Sequence, residues 1–222
     1  MTAGEGSATV VGVRDDFLRG ARAVLDALSD PAVAAAWDEP SVLAGQTVGG
    51  LAGHLARGGV WVVDDHLDRD PPPAATFASA ADYFAAAARL DEAGHRAIRE
   101  RGAALAAEGP EAIVGRLGER LAALATRLGA EPADRLLPVF GGAMALDDYL
   151  ATRLVEQMVH HDDLARSVAD LPAAGPEDLR DLMARVAGLG TAIAVARHGP
   201  TAVVRHLFRT DVAGPAVVPV LG

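Results

Sequence analysis

The chain has 222 residues, half of them apolar, few of them aromatic, and a formal charge of −10. Its acidic surface repels phosphate backbones, no basic cluster suits an anionic membrane, and no apolar run is long enough to span a bilayer. The absence of cysteine removes disulfides, cysteine nucleophiles and thiolate metal ligands. Ala and Leu dominate the apolar set, which favours helices, and the length suits one substantial core with a small appendage. The first residues, through about Ser7, read as a polar tail without a signal peptide, so the cytoplasm is the expected compartment. A first helix is expected over 9–29, where Val13, Phe17, Val24 and Leu28 recur at helical spacing. Asp30-Pro31 breaks it. Thr47 is the expected N-cap of a second helix over 47–67, with Val48, Leu51, Leu55 and Val62 as its buried stripe. Asp70-Pro71-Pro72-Pro73 ends that helix. A third helical stretch covers 79–107 and a fourth 111–128. The break around Pro132, Pro138 and Gly141-Gly142 precedes a strong helix over 147–169, which Pro172 closes. Helices over 176–197 and 203–208 follow, then an extended apolar tail over 212–221. No internal repeat and no strand alternation stands out. The expected class is all-α, a helical bundle over residues 1–171 with a helical C-terminal extension over 172–222 packed on it.

Glu156 and His160 stand four residues apart on the helix 147–169. That spacing puts both side chains on one face, roughly 6 Å apart along the axis. A carboxylate and an imidazole so placed can close on one metal ion, with a third ligand from another helix. His54 is the candidate third ligand. Two histidines and a glutamate would leave a position open for chemistry. His160 sits roughly 40° around the helix from Glu156 and His161 roughly 140° away. The ligand is therefore His160, and His161 is expected to be exposed or to support the ligands from behind. An ordinary Glu–His pair on a solvated face is the competing account of so short a pattern. Gly50 and Gly58 flank His54 at i−4 and i+4, each costing roughly 1 kcal/mol in a helix. They imply room for a ligand beside His54, or else tight packing around a core histidine. Asp163, at i+7 from Glu156, is placed to accept a proton from a ligand histidine. Its alternative is a charge near a helix C-terminus. Arg153, one turn before Glu156, is placed to hold the second carboxylate oxygen, to bind an anionic co-substrate, or to form a surface ion pair. Trp61 lies seven residues after His54 and is read as a wall of the co-substrate pocket or a packing residue. Asp64, Asp65 and His66 read as a solvated face.

The segment Ala36-Trp37-Asp38-Glu39-Pro40-Ser41, followed by Thr47-Val48-Gly49-Gly50-Leu51-Ala52-Gly53-His54-Leu55, resembles the first signature of the DinB-like superfamily. It is similar, more closely, to the N-terminal domain of mycothiol-dependent maleylpyruvate isomerases. The segment Thr152–Leu164, containing Glu156-Gln157-Met158-Val159-His160-His161, resembles the second signature. Arg197-His198-Gly199-Pro200-Thr201 also resembles actinobacterial members. The resemblance implies a DinB-like four-helix bundle, here with an inserted helix over 79–107 and a short helical C-terminal extension. It implies a divalent metal, usually zinc, held by His54, Glu156 and His160, and a low-molecular-weight thiol, mycothiol, as co-substrate. The isomerases carry a larger C-terminal domain than the roughly fifty residues after Leu171, so their substrate contacts there do not carry over.

The leading functional expectation is a metal-dependent, mycothiol-dependent transferase or isomerase acting on a small electrophile. A metal-dependent hydrolase keeps the ion and uses water, with only Asp163 at hand as a base. A non-catalytic metal or small-molecule binding protein is a third reading. Non-haem iron chemistry is a fourth, since two histidines and a carboxylate also serve Fe(II) oxygenases. The expected partners are the thiol and the electrophile, with no nucleic acid and no membrane. The oligomeric state is open, a homodimer included.

Overall fold

Four long helices close around one apolar core in a computed structural model that describes residues 12–171, 179–209 and 217. The first, α1 (Val13–Leu28), buries Phe17, Ala21, Val24 and Leu28. A one-turn helix, α2 (Pro31–Ala35), follows, its first turn capped by Asp30. Then comes α3 (Val48–Ala56). Thr47 accepts the Gly50 N–H at 3.0 Å, satisfying one of the donors left open at a helix start, as the sequence suggests.

The helix expected over 47–67 is interrupted. Arg57–Trp61 is a π-turn, and α4 (Val62–Leu67) resumes beyond it. The Val62 N–H reaches back five residues to the Arg57 carbonyl. The extra residue shifts the buried stripe, so Val60 and Val63 are fully buried while Val62 is only partly so. The pair Gly58-Gly59 makes this deformation inexpensive, as glycine pairs do at helix irregularities.

The stretch expected as one inserted helix over 79–107 is two, α5 (Ala80–Ala87) and α6 (Glu92–Ala106). Asp91 is the reason for the division. Its carboxylate accepts the Gly94 N–H at 2.8 Å and starts a new helix. Next, α7 (Pro110–Ala130) opens on a proline in the first turn. It is followed by a feature the sequence reading lacked, a hairpin of β1 (Leu136–Val139) and β2 (Gly142–Ala145), antiparallel with Leu137 opposite Met144. Phe140 and Gly141 turn it with φ of 42° and 75°. Positive φ at both central residues matches the strand twist and makes two-residue hairpins. Strands of four residues are too short for alternation to register, and Pro138 argued against a strand. A two-stranded ribbon has only edges, where proline is tolerated.

The helix that carries Glu156 is α8 (Leu146–Ser167). Together α1, α3, α7 and α8 form the bundle, around Leu51, Leu55, Ile113, Leu117, Leu124 and Leu150. Then α9 (Arg180–His198) packs on α5 and α8, where Leu179 and Leu182 meet Leu154 and Met158. Against α9 lies α10 (Pro200–Phe208). The N-terminal tail and, apart from Val217, the extended stretch 212–221 lie outside the described residues. The class is all-α, as the sequence indicates. Among the described residues no helix is long and apolar enough to cross a membrane.

The acidic cluster after the π-turn is not a solvated face. Asp64 and Asp65 pair with Arg127 and Arg120 of α7. His66 is buried edge-on to Tyr149, ring centroids 5.4 Å apart. Burial, aided by the cations Arg69 and Arg153, pushes the His66 pKa down to about 4. An unfolded histidine takes up its proton near 6.5 while the folded one does not. The neutral ring therefore leaves stability intact above about pH 6.5, and stability drains as pH falls towards 4. The linkage is worth about 2 kcal/mol. Urea unfolding of the wild type and His66→Gln at about pH 7.5 and about pH 4.5 is expected to show the larger acid loss in the wild type. Equal losses would contradict the assignment.

Candidate metal centre

His54 stands on the last turn of α3, and Glu156 and His160 on successive turns of α8. The packing of α3 on α8 brings the three side chains together. Glu156 Oε2 lies 3.7 Å from His54 Nε2 and 3.5 Å from His160 Nε2. The two imidazoles meet edge to face, centroids 4.8 Å apart. One ligand atom from each residue falls within 4.8 Å of the other two. The side chains keep 19%, 22% and 20% of their surface exposed, so the cluster is sunk in the protein yet reachable from solvent.

The electrostatics are tightly coupled. Burial opposes charge on Glu156, but the two imidazoles and Arg153 outweigh it and hold the carboxyl well below its usual range. Burial likewise opposes the His160 cation, yet Asp163 and Glu156 lift that pKa to about 9. Asp163 Oδ2 lies 2.9 Å from His160 Nδ1. A hydrogen bond on that nitrogen turns Nε2 towards Glu156 and His54, the arrangement that orients metal-binding histidines. Asp163 is not loose, because Arg166 also lies within 3.7 Å.

His161 departs from expectation. It is away from the cluster, as the helical angle required, but it is buried and not exposed. Burial lowers its pKa, and its ring contacts the backbone of Ala23 in α1. The residues singled out for co-substrate contact are also buried. Trp61 is 3% exposed and lies under the guanidinium groups of Arg116 and Arg120 from α7, at 5.1 and 5.8 Å. Arg153 is 4% exposed. Its Nε donates to Thr152 Oγ1, its Nη1 to the Gly58 carbonyl and its Nη2 to Tyr83 OH. Neither residue offers an open face to a co-substrate in this arrangement.

The glycines around His54 act elsewhere than expected. A Cβ on Gly58 would make only ordinary contact with the His54 ring. A Cβ on Gly53 would stand 2.6 Å from the Gly102 carbonyl, and one on Gly102 would stand 2.6 Å from the Gly50 carbonyl. Backbone meets backbone there, which is how α6 comes to lie against the His54 turn. Trp37 fastens the same junction, stacked over Gly49 and donating Nε1–H to the Ala106 carbonyl at 3.0 Å. Tyr83 and Tyr149 were missed by the sequence reading. They are the only tyrosines in the chain, and the Arg153 guanidinium lies 5.4 and 4.7 Å from their rings. Tyr149 precedes Arg153 by four residues, a signal that was available.

Two imidazole nitrogens and one carboxylate oxygen are one of the donor sets of open catalytic zinc sites. The convergence of three such atoms, with an acidic partner behind one histidine, fits a divalent ion. Searches among curated proteins and among solved structures gave no match to this chain. The family model for the mycothiol maleylpyruvate isomerase N-terminal domain matches residues 18–165, which include all four α-helices of the bundle nearly entire and the whole His54–Glu156–His160 cluster. On that match, the chain belongs to the mycothiol maleylpyruvate isomerase N-terminal domain family.

Proposed function

We propose that this protein is a metal-dependent enzyme that directs a low-molecular-weight thiol, mycothiol, onto a small electrophilic substrate. The observation that carries the reading is the solvent-reachable meeting of His54 Nε2, Glu156 Oε2 and His160 Nε2. Family membership points the site to mycothiol chemistry. We read zinc as the ion, residues 1–171 as the unit that holds it, and 172–222 as an appended helical segment. The chain has no cysteine, so the sulfur nucleophile comes from a small molecule.

A divalent ion at this position supplies positive charge that lowers the pKa of an incoming thiol, as it does for water. The rest falls to the protein. His54, Glu156 and His160 would hold the ion. Asp163 holds the Nδ1 proton of His160, keeping the Nε2 lone pair aimed at the cluster. Attack of the thiol sulfur on an electrophilic carbon begins both candidate reactions. Addition, rotation and elimination of the thiol isomerise a cis alkene. Addition with protonation of the neighbouring carbon gives a thioether.

A hydrolase needs a free carboxylate to take a proton from water. Asp163 is committed to His160, and Glu156 to both histidines, which favours the thiol reading. The test follows both the loss of free mycothiol, which thioether formation consumes, and the cis–trans conversion of an activated alkene such as maleylpyruvate, which returns the thiol, using protein stripped by a chelator and then reloaded with zinc. Turnover is expected only with metal and thiol together. Metal-dependent ester or amide hydrolysis that ignores the thiol would shift the assignment to the hydrolase.

A further inference from the structure

Behind the cluster lies a buried cation that the proposed chemistry does not use. Arg153 shares α8 with Glu156 and His160, and its Nη2 stands 4.0 Å from Glu156 Oε1. The other carboxylate oxygen, Oε2, is the one that meets the two histidines. The two oxygens of Glu156 thus face different partners. The same guanidinium donates through Nη1 to the Gly58 carbonyl at 2.9 Å, inside the π-turn that follows His54. One turn further along α8, Gln157 Nε2 donates to the adjacent Gly59 carbonyl at 3.0 Å. Side chains of α8 thus donate to two successive carbonyls of the π-turn. The position of His54 relative to Glu156 is fixed through these bonds.

Filling a slot does not account for this arrangement. An apolar side chain of similar volume fills a buried site at less cost than an arginine, whose charge must be desolvated. Here the charge is retained. Burial opposes it, yet the contacts with Tyr149, Tyr83 and Glu156 raise the Arg153 pKa above its usual value. Tyr83 OH and Thr152 Oγ1 anchor the remaining nitrogens, at 2.9 and 3.1 Å, so the plane of the fork cannot rotate freely. Lysine has no such planar fork and cannot reproduce the set.

We propose that Arg153 is a positioning residue that reserves Glu156 Oε1 for itself, so that the carboxylate presents one oxygen to the metal site, while its bond to Gly58 registers the His54 helix against α8. This inference rests on the metal reading above. Its consequence is that a coordination position stays open which a two-oxygen glutamate would fill.

The test uses the full chain loaded with cobalt(II), whose visible absorption is strong with four ligands and weak with five. In Arg153→Met the absorption is expected to fall several-fold, and the affinity for mycothiol, followed by the near-ultraviolet band it induces, to weaken about tenfold, the scale of outer-partner losses at metal sites. Arg153→Lys is expected to recover only part of both. Tyr83→Phe, which removes one anchor of the fork, is expected to move both in the same direction by less. A purely structural arginine would lower the melting temperature of Arg153→Met and leave the cobalt spectrum and thiol affinity as in the wild type, which would overturn the proposal. If Arg153→Met does not fold, Arg153→Lys decides, and a wild-type spectrum in that variant overturns it equally. A wild-type chain that takes up no cobalt is a different failure, because it removes the metal reading and this inference with it.

Discussion

Replacing His160 with alanine is expected to abolish retention of a divalent ion, while replacing His161 leaves retention intact. The two residues are neighbours in sequence and lie on different sides of α8. His160 Nε2 is 3.5 Å from Glu156 Oε2, whereas His161 is buried against α1. Loss of one of three protein ligands should weaken binding by more than the roughly 10–100-fold that an outer partner costs. His54→Ala should do the same with little loss of helix content, since its ring meets Glu156 and His160, the other two members of the cluster. Equilibrium dialysis against zinc with circular dichroism on the same samples reads both quantities. Metal loss in His161→Ala with retention in His160→Ala would place the site on the other side of the helix.

The second large effect concerns the glycine junction. Gly102→Val is expected to destabilise the fold by about 2 kcal/mol and to weaken metal binding as well. Its Cβ would stand 2.6 Å from the Gly50 carbonyl and 3.3 Å from His54 Cβ. Backbone cannot move aside as a flexible side chain can, so α6 must shift and drag on the turn that carries His54. Gly102→Ala should fall between wild type and valine, because alanine recovers roughly 1 kcal/mol of helix propensity. Urea unfolding and zinc titration of both variants check this. A Gly102→Val protein as stable as the wild type would mean that α6 does not lie against α3 as described.

Much of this arrangement was legible in the sequence. The bundle helices announce themselves through apolar stripes such as Phe17, Val24 and Leu28, and through caps such as Thr47. The i, i+4 placement of Glu156 and His160 and the angle that separates His161 follow from helix geometry alone. What was not legible depends on contacts between helices. The π-turn at Arg57–Trp61 is stabilised by Arg153 and Gln157 from α8, so no local pattern specifies it, and Val62 was assigned to the wrong stripe. Asp91 divides the inserted stretch by one side-chain bond that alanine-rich flanks conceal. The β-hairpin is fixed by two residues of positive φ between strands of four. Arg153 looks like a surface group by type, and only tertiary packing shows that its nitrogens are spent inside the protein, while of the two readings of Trp61 the burial favours packing.

We propose that His54, Glu156 and His160 together hold one divalent ion. Elemental analysis of the protein purified without added metal, then after incubation with zinc and desalting, tests it most directly. About one equivalent of divalent metal per chain is expected, lost when any one of the three residues is replaced. A chain that remains metal-free after incubation, or that keeps its metal in the His54→Ala, Glu156→Gln and His160→Ala variants alike, would contradict it.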